Sequence, residues 1–113
     1  MSILEALDEA ERGPTPEQLA NAPLLENWWI QDMGALRARG DLSGHPSITD
    51  PFVTTSPVFG FDVAAGWMRT QSRFYRIGPP LALPGMTIAE AVPLEVVQKL
   101  LAVGRQDARK LVQ

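Results

Sequence analysis

The chain contains no cysteine, one histidine and one tyrosine. Without thiols it has no disulfide framework, no thiol nucleophile and no thiolate metal site. A single histidine without neighbouring ligands is a poor basis for a metal centre. No metal and no cofactor are therefore expected. No apolar run approaches the ~18 residues that a membrane-crossing helix requires. The first residues, MSILEALDEAERG, are acidic where a secretory leader would be basic. The expectation is a cytoplasmic protein with no membrane partner.

Ten prolines and nine glycines in 113 residues point to many turns and short elements. The length suits one domain over 1–113, large enough to bury its own core. Net charge is −3, unevenly placed: residues 1–50 carry nine acids and three arginines, residues 51–113 four acids and seven bases. That balance argues against a general nucleic-acid coat and leaves room for a local basic patch.

Three segments follow: a helical arm over 1–23, a β-rich core over 25–78 and a helical segment over 87–113. Ser2 and Glu5 have capping-box spacing, and the first helix should stop at Gly13-Pro14. Thr15-Pro16-Glu17-Gln18 opens a second, with Thr15 as cap and Pro16 at the first helical position. Leu25, Trp29, Met33 and Leu36 fit a helix over 24–38. The β-prone Trp28-Trp29-Ile30 and the alternation through Leu42 favour two strands instead, near 27–32 and 36–43, with a turn at Asp32-Met33-Gly34. Val53, Thr55, Phe59, Phe61 and Val63 alternate with polar or small residues, predicting a strand whose Phe59 and Phe61 share one buried face. Pro57 bends it or places it at an edge. The loop from Asp62 to Gly66 turns the chain, and 67–77 returns as its partner strand. Leu81 to Met86 is a connector. Leu94, Val97, Leu100, Leu101, Leu111 and Val112 then form an apolar helical face, with Lys99, Arg105, Arg109 and Lys110 opposite and Gly104 as a candidate break. The fold class is α+β: an antiparallel sheet of three or four strands, short N-terminal helices and a C-terminal helix packed on one face.

The return strand carries the most suggestive chemistry. Trp67, Arg69, Arg73 and Tyr75 fall on one face, with Arg76 on the other. Guanidiniums ~6–7 Å apart on a strand match carboxylates or phosphates, and flanking aromatics can stack. The plainer reading is a solvated face whose arginines pair with the acidic N-terminal half. Trp28 and Trp29 should point to opposite sides, so one indole can reach a partner. His45 beside Ser56 and Asp50 or Asp62 would supply the residue types of a serine hydrolase, but no nucleophile elbow is present. A turn histidine bonded locally is the simpler account. Thr54-Thr55-Ser56 lacks the glycine-rich loop of a phosphate cradle. The C-terminal helix can cover the sheet or pair two copies.

Leu42-Ser43-Gly44-His45-Pro46, Thr55-Ser56 and the run from Gly66 to Gly78 (GWMRTQSRFYRIG) resemble a pattern in small uncharacterised proteins. These are of the domain-of-unknown-function kind, from alphaproteobacteria and their phages or mobile elements. The resemblance covers about residues 25–80, leaves out the terminal helices and implies no known activity. The expected function is a non-enzymatic binding or regulatory protein acting by protein–protein contact, such as an adaptor or an inhibitor carried by a mobile element. Its partner-binding residues would be Trp67, Arg69, Arg73, Tyr75, Arg76 and Trp29. The alternative is a nucleic-acid-contacting module using the same arginine and aromatic residues.

Overall fold

The computed structural model describes residues 2–81 and 91–112, without the side chains of Arg109, Leu111 and Val112. Most of the 81–86 connector and the outer end of the C-terminal apolar face, Leu111 and Val112, thus lie outside the described residues. Helix α1 spans Ile3–Arg12 and α2 Pro16–Ala20. Both start as their caps dictate. Ser2 Oγ accepts the Glu5 N–H at 3.2 Å, and Thr15 and Gln18 bond reciprocally at 3.1 and 2.9 Å. Gly13, at φ 80°, ends α1 by donating its N–H to the Glu9 carbonyl at 2.8 Å.

Strands β1 (Leu24–Asp32), β2 (Leu36–Ser43), β3 (Phe52–Asp62), β4 (Trp67–Thr70) and β5 (Phe74–Ile77) follow, then α3 (Leu94–Val112). The 24–38 segment is strand rather than helix, and α3 runs unbroken through Gly104. The α+β class stands, but the sheet has five strands where three or four were expected. Neighbours in sequence pair antiparallel, and β5 returns to β1 in parallel through Leu24–Arg76 and Leu25–Ile77, closing a barrel. Beyond β5 the chain keeps to β1, the Leu81 N–H bonding the Trp28 carbonyl at 2.8 Å. Closure removes the exposed edges an open sheet of this size would carry.

Bulges allow such short strands to coil that tightly. The ladder slips at Glu26–Trp29, at Arg37–Arg39 and at Val58–Gly60. At the first slip Asn27 adopts φ 51° and its side-chain amide donates to Asp41 at 3.0 Å. Gly40 lies opposite. A Cβ there would sit 2.9 Å from both the Glu26 carbonyl oxygen and Trp28 Cβ, so only glycine admits the bulge and its tryptophan.

The second and third slips correct the expected face of β3. Thr55, Val58 and Phe61 point inward, Phe59 is only half-buried and Val63 is exposed beyond the strand. Each bulge residue shifts the side-chain parity by one, so a strict odd-number rule fails after Pro57. The return strand needs a second correction. It reverses at Gln71-Ser72, where Thr70 and Arg73 close a tight hairpin at 2.9 Å, and so becomes two strands.

The core gathers Leu25, Trp28, Ile30, Phe61, Met68 and Tyr75, with Val97 and Leu101 of α3. Trp28 is fully buried, meets Phe61 edge-on at 6.0 Å and donates its indole N–H to the Gly78 carbonyl at 2.8 Å. Gln98 and Arg105 of α3 donate to the Phe61 and Phe59 carbonyls at 2.9 and 2.7 Å, fastening the helix to β3. Helix α1 buries Ala6, Leu7 and Ala10 on the same strand.

Candidate functional site

The hairpin at Gln71-Ser72 disperses the arginine–aromatic face expected over 67–75. Met68 now pairs with Tyr75 and Arg69 with Phe74, so the four residues do not share a surface. Trp67 is half-buried, edge-on to Phe74 at 6.0 Å with its indole over Gly13. Tyr75 is in the core. Burial raises its phenol pKa, and the positive charge of Arg73 opposes that. Arg73 is half-buried where the hairpin turns into β5. Arg76 is exposed and donates through Nε to the Ala22 carbonyl at 2.9 Å, joining β5 to the end of α2.

Arg69 is only 1% exposed. Its Nε and Nη2 donate to Glu9 Oε2 at 3.1 and 2.9 Å, its Nη1 to the Thr70 carbonyl at 2.6 Å, and it lies 5.3 Å from the Phe74 ring centre. It pairs with a carboxylate of the acidic N-terminal half, but from a buried position rather than the solvated face that the plainer reading expected. A guanidinium so enclosed is part of the structure and out of a partner's reach.

The sixth residue, Trp29, is placed differently. The alternation that buries Trp28 turns Trp29 outward, half-exposed, on the outer face of β1. Directly across in β2 lies Arg39, and one strand further Phe52, itself exposed. The Arg39 guanidinium carbon is 5.8 Å from the Trp29 ring centre and 5.2 Å from that of Phe52, and the two rings are 5.8 Å apart. Nε of Arg39 donates to Thr54 Oγ1 at 3.1 Å, and the Trp29 indole N–H to Gln31 at 3.1 Å. Among the described residues no partner engages the two terminal nitrogens of Arg39. Stacking between two rings orders the guanidinium. Arg37, two residues away, donates to the Thr55 carbonyl at 3.2 Å. Sequence reading picked out Trp29 but missed Arg39 and Phe52. Alternation along 36–43 placed Arg39 on a strand, but nothing local shows that Phe52 lies beside it.

The hydroxyl residues form a second group. Ser56 Oγ donates to Thr70 Oγ1 at 3.0 Å and accepts from Ser72 Oγ at 2.9 Å and from the Ser72 N–H at 3.1 Å. Those bonds pin the β4–β5 turn and occupy Ser56. His45 is at a separate turn, its Nδ1 accepting the N–H groups of Ser47 and Ile48 at 3.1 and 3.0 Å. The His45–Ser56 pairing that hydrolysis would need is therefore replaced by two local networks. Among the described residues no cluster of three metal-ligating side chains occurs, and no helix is long and apolar enough to cross a membrane.

His45 is held below its ordinary value of 6.5, first by burial and then by the Arg73 charge. A depressed folded-state pKa means that the unfolded chain binds the proton more readily. The stabilisation is thus present above about pH 6.5 and lost as pH falls through the folded value. Protonating Nδ1 would also remove the acceptor for both amides. In a proton–nitrogen correlation titration, the Ser47 and Ile48 amides should shift together with a midpoint below 6.5. A midpoint at or above that value would remove the capping role. His45→Gln should fold normally, with a melting temperature near wild type.

Residues 1–93 match the model of a family described as a family of unknown function (DUF6634). The match takes in the N-terminal helices as well as the strands, so it extends beyond the 25–80 pattern read from the sequence. No curated protein matches the chain, and no solved structure matches it.

Proposed function

The chain belongs to this family of unknown function, and from its surface geometry we propose a non-enzymatic binding protein, an adaptor or inhibitor acting by protein–protein contact. The observation that carries this reading is the Trp29–Arg39–Phe52 stack on the outer face of β1–β3. Tryptophan and arginine are among the residue types that most often dominate interface energies, the one by the large apolar area it removes from water and the other by its planar, multi-donor charge. The stack offers both, already ordered. Its ligand is a protein surface that presents a carboxylate to the Arg39 fork and an apolar side chain to the two rings.

Trp29→Ala/Arg39→Ala tests the reading, because both side chains are partly exposed on the outer face and their loss leaves the core residues in place. The immobilised double variant should fail to retain a protein that the wild type retains, at a melting temperature close to wild type. A single truncation at such an anchor commonly weakens binding by ~2 kcal/mol or more. Retention at wild-type strength would refute the stack as the contact surface.

Arg37 and Arg39 beside two aromatics also favour a second reading, contact with single-stranded nucleic acid. Asp32 and Asp41 on the same strands, and the net charge of −3, weigh against it. Oligonucleotide binding that falls steeply with added salt, and is lost in Arg37→Ala/Arg39→Ala, would favour it over the protein contact.

A further inference from the structure

Helices α1 and α3 flank an open cleft of about 370 Å³. Its walls include Leu7, Leu36, Val58, Phe59 and Leu101, with Leu100 on the α3 rim and Gln71 and Arg105 as the polar contributions. A ridge stands beside it. Val96, Leu100 and Val103 of α3 are 42%, 51% and 57% exposed, while Val97 and Leu101 of the same helix are buried in the core. Their spacing of four and then three residues is that of a helix-pairing seam. Ile3 of α1, 56% exposed, forms the opposite rim.

Charge divides across the cleft. Helix α1 carries Glu5, Asp8 and Glu11 against Arg12, and α3 carries Lys99, Arg105 and Lys110 against Glu95 and Asp107, with Glu9 committed to Arg69. Arg105 and Glu11 already approach to 3.8 Å across it. Lys99 lies one helical turn from both Val96 and Val103, so a positive charge borders the ridge. Asp8, one turn after Leu4 and before Arg12, carries negative charge along the outer side of α1.

We infer that this face pairs with a second copy of the same chain, the α3 ridge of each protomer entering the α1–α3 cleft of the other. The surface is self-complementary in shape and in charge, as a two-fold interface requires. A ridge lies beside a groove, and an acidic helix beside a basic one, so one rotation satisfies both pairs twice. An unrelated partner would have to supply that combination independently. The dimer uses none of the residues of the Trp29 stack, which remains exposed on each protomer.

Sedimentation velocity of the full chain over a dilution series tests the inference. The wild type should pass from the 12.4 kDa monomer to twice that mass as concentration rises. Leu100→Lys should raise the dissociation constant at least tenfold without lowering the melting temperature, since Leu100 is half-exposed. Lys99→Glu and Asp8→Lys should each weaken self-association, and an equimolar mixture of the two should recover a mixed dimer. A wild type that stays monomeric at every concentration overturns the inference and leaves the cleft to an apolar segment of another protein. A dimer of unchanged strength in Leu100→Lys overturns it as well, because the contact would then lie elsewhere.

Discussion

Glu9→Ala should cost about 3–5 kcal/mol, the penalty for removing the carboxylate that balances a buried guanidinium. Glu9 holds three elements together. Its Oε2 receives Arg69 of β4 at 3.1 and 2.9 Å, and its Oε1 receives Gln18 of α2 at 3.3 Å and lies 3.7 Å from Arg12. Without the carboxylate the Arg69 guanidinium keeps its bond to the Thr70 carbonyl and its place against Phe74, but has lost the anion at its other edge. The whole domain is expected to be stable by ~5–15 kcal/mol, so such a loss would leave it marginal. Urea unfolding measures it directly. A change of less than about 1 kcal/mol, the value of a surface ion pair, would show that water reaches the guanidinium. The double variant Glu9→Leu/Arg69→Met should regain most of the stability, because an apolar pair of similar volume avoids the desolvation cost of both charges.

Phe61→Ala should cost a similar ~3–5 kcal/mol by a different mechanism, the loss of transfer energy together with a cavity beside Trp28. Phe61 is buried at the point where β3, α3 and the Trp28 edge converge, and its carbonyl also anchors Gln98. For a chain of about this length each kcal/mol lowers the melting temperature by ~4–8 °C, so a fall of ~12 °C or more is expected. Phe59→Ala is the informative control. Phe59 is half-buried on the cleft wall and should cost less than half as much. Equal costs at the two positions would contradict the bulge between Val58 and Gly60 and restore the simple alternating strand. In neither variant is the Trp29 stack disturbed.

The short-range features of this protein were legible before any fold was known. The caps at Ser2 and Thr15, the stop at Gly13, the turn at Gly34, and the opposite directions of Trp28 and Trp29 all follow from residues within four positions of one another. Hydrogen-bonding side chains, proline's fixed φ, glycine's freedom and the period of a strand act over that range. The expected arginine face was a harder case, because its one-strand premise had to survive the Gln71-Ser72 pair. That pair has neither glycine nor asparagine to announce a turn. The Thr70–Arg73 backbone bond closes it, and the hydroxyl of Ser56, fourteen residues from Thr70 and sixteen from Ser72, braces it from another strand.

By itself the sequence determined a cysteine-free α+β chain, its two capped N-terminal helices, most of its strand positions and a separation of acidic from basic segments. Only the tertiary structure decided that five strands close into a barrel, that Arg69 lies buried against Glu9, and that Arg39 lies between Trp29 and Phe52. The physical reason is one of range. Strand closure, ladder slips and ion-pair burial depend on partners up to sixty residues apart, such as Glu9 and Arg69. Each bulge then reverses which side of the sheet every later residue faces. Local spacing specifies a strand, and the partners it acquires in the fold specify which of its side chains reaches the surface.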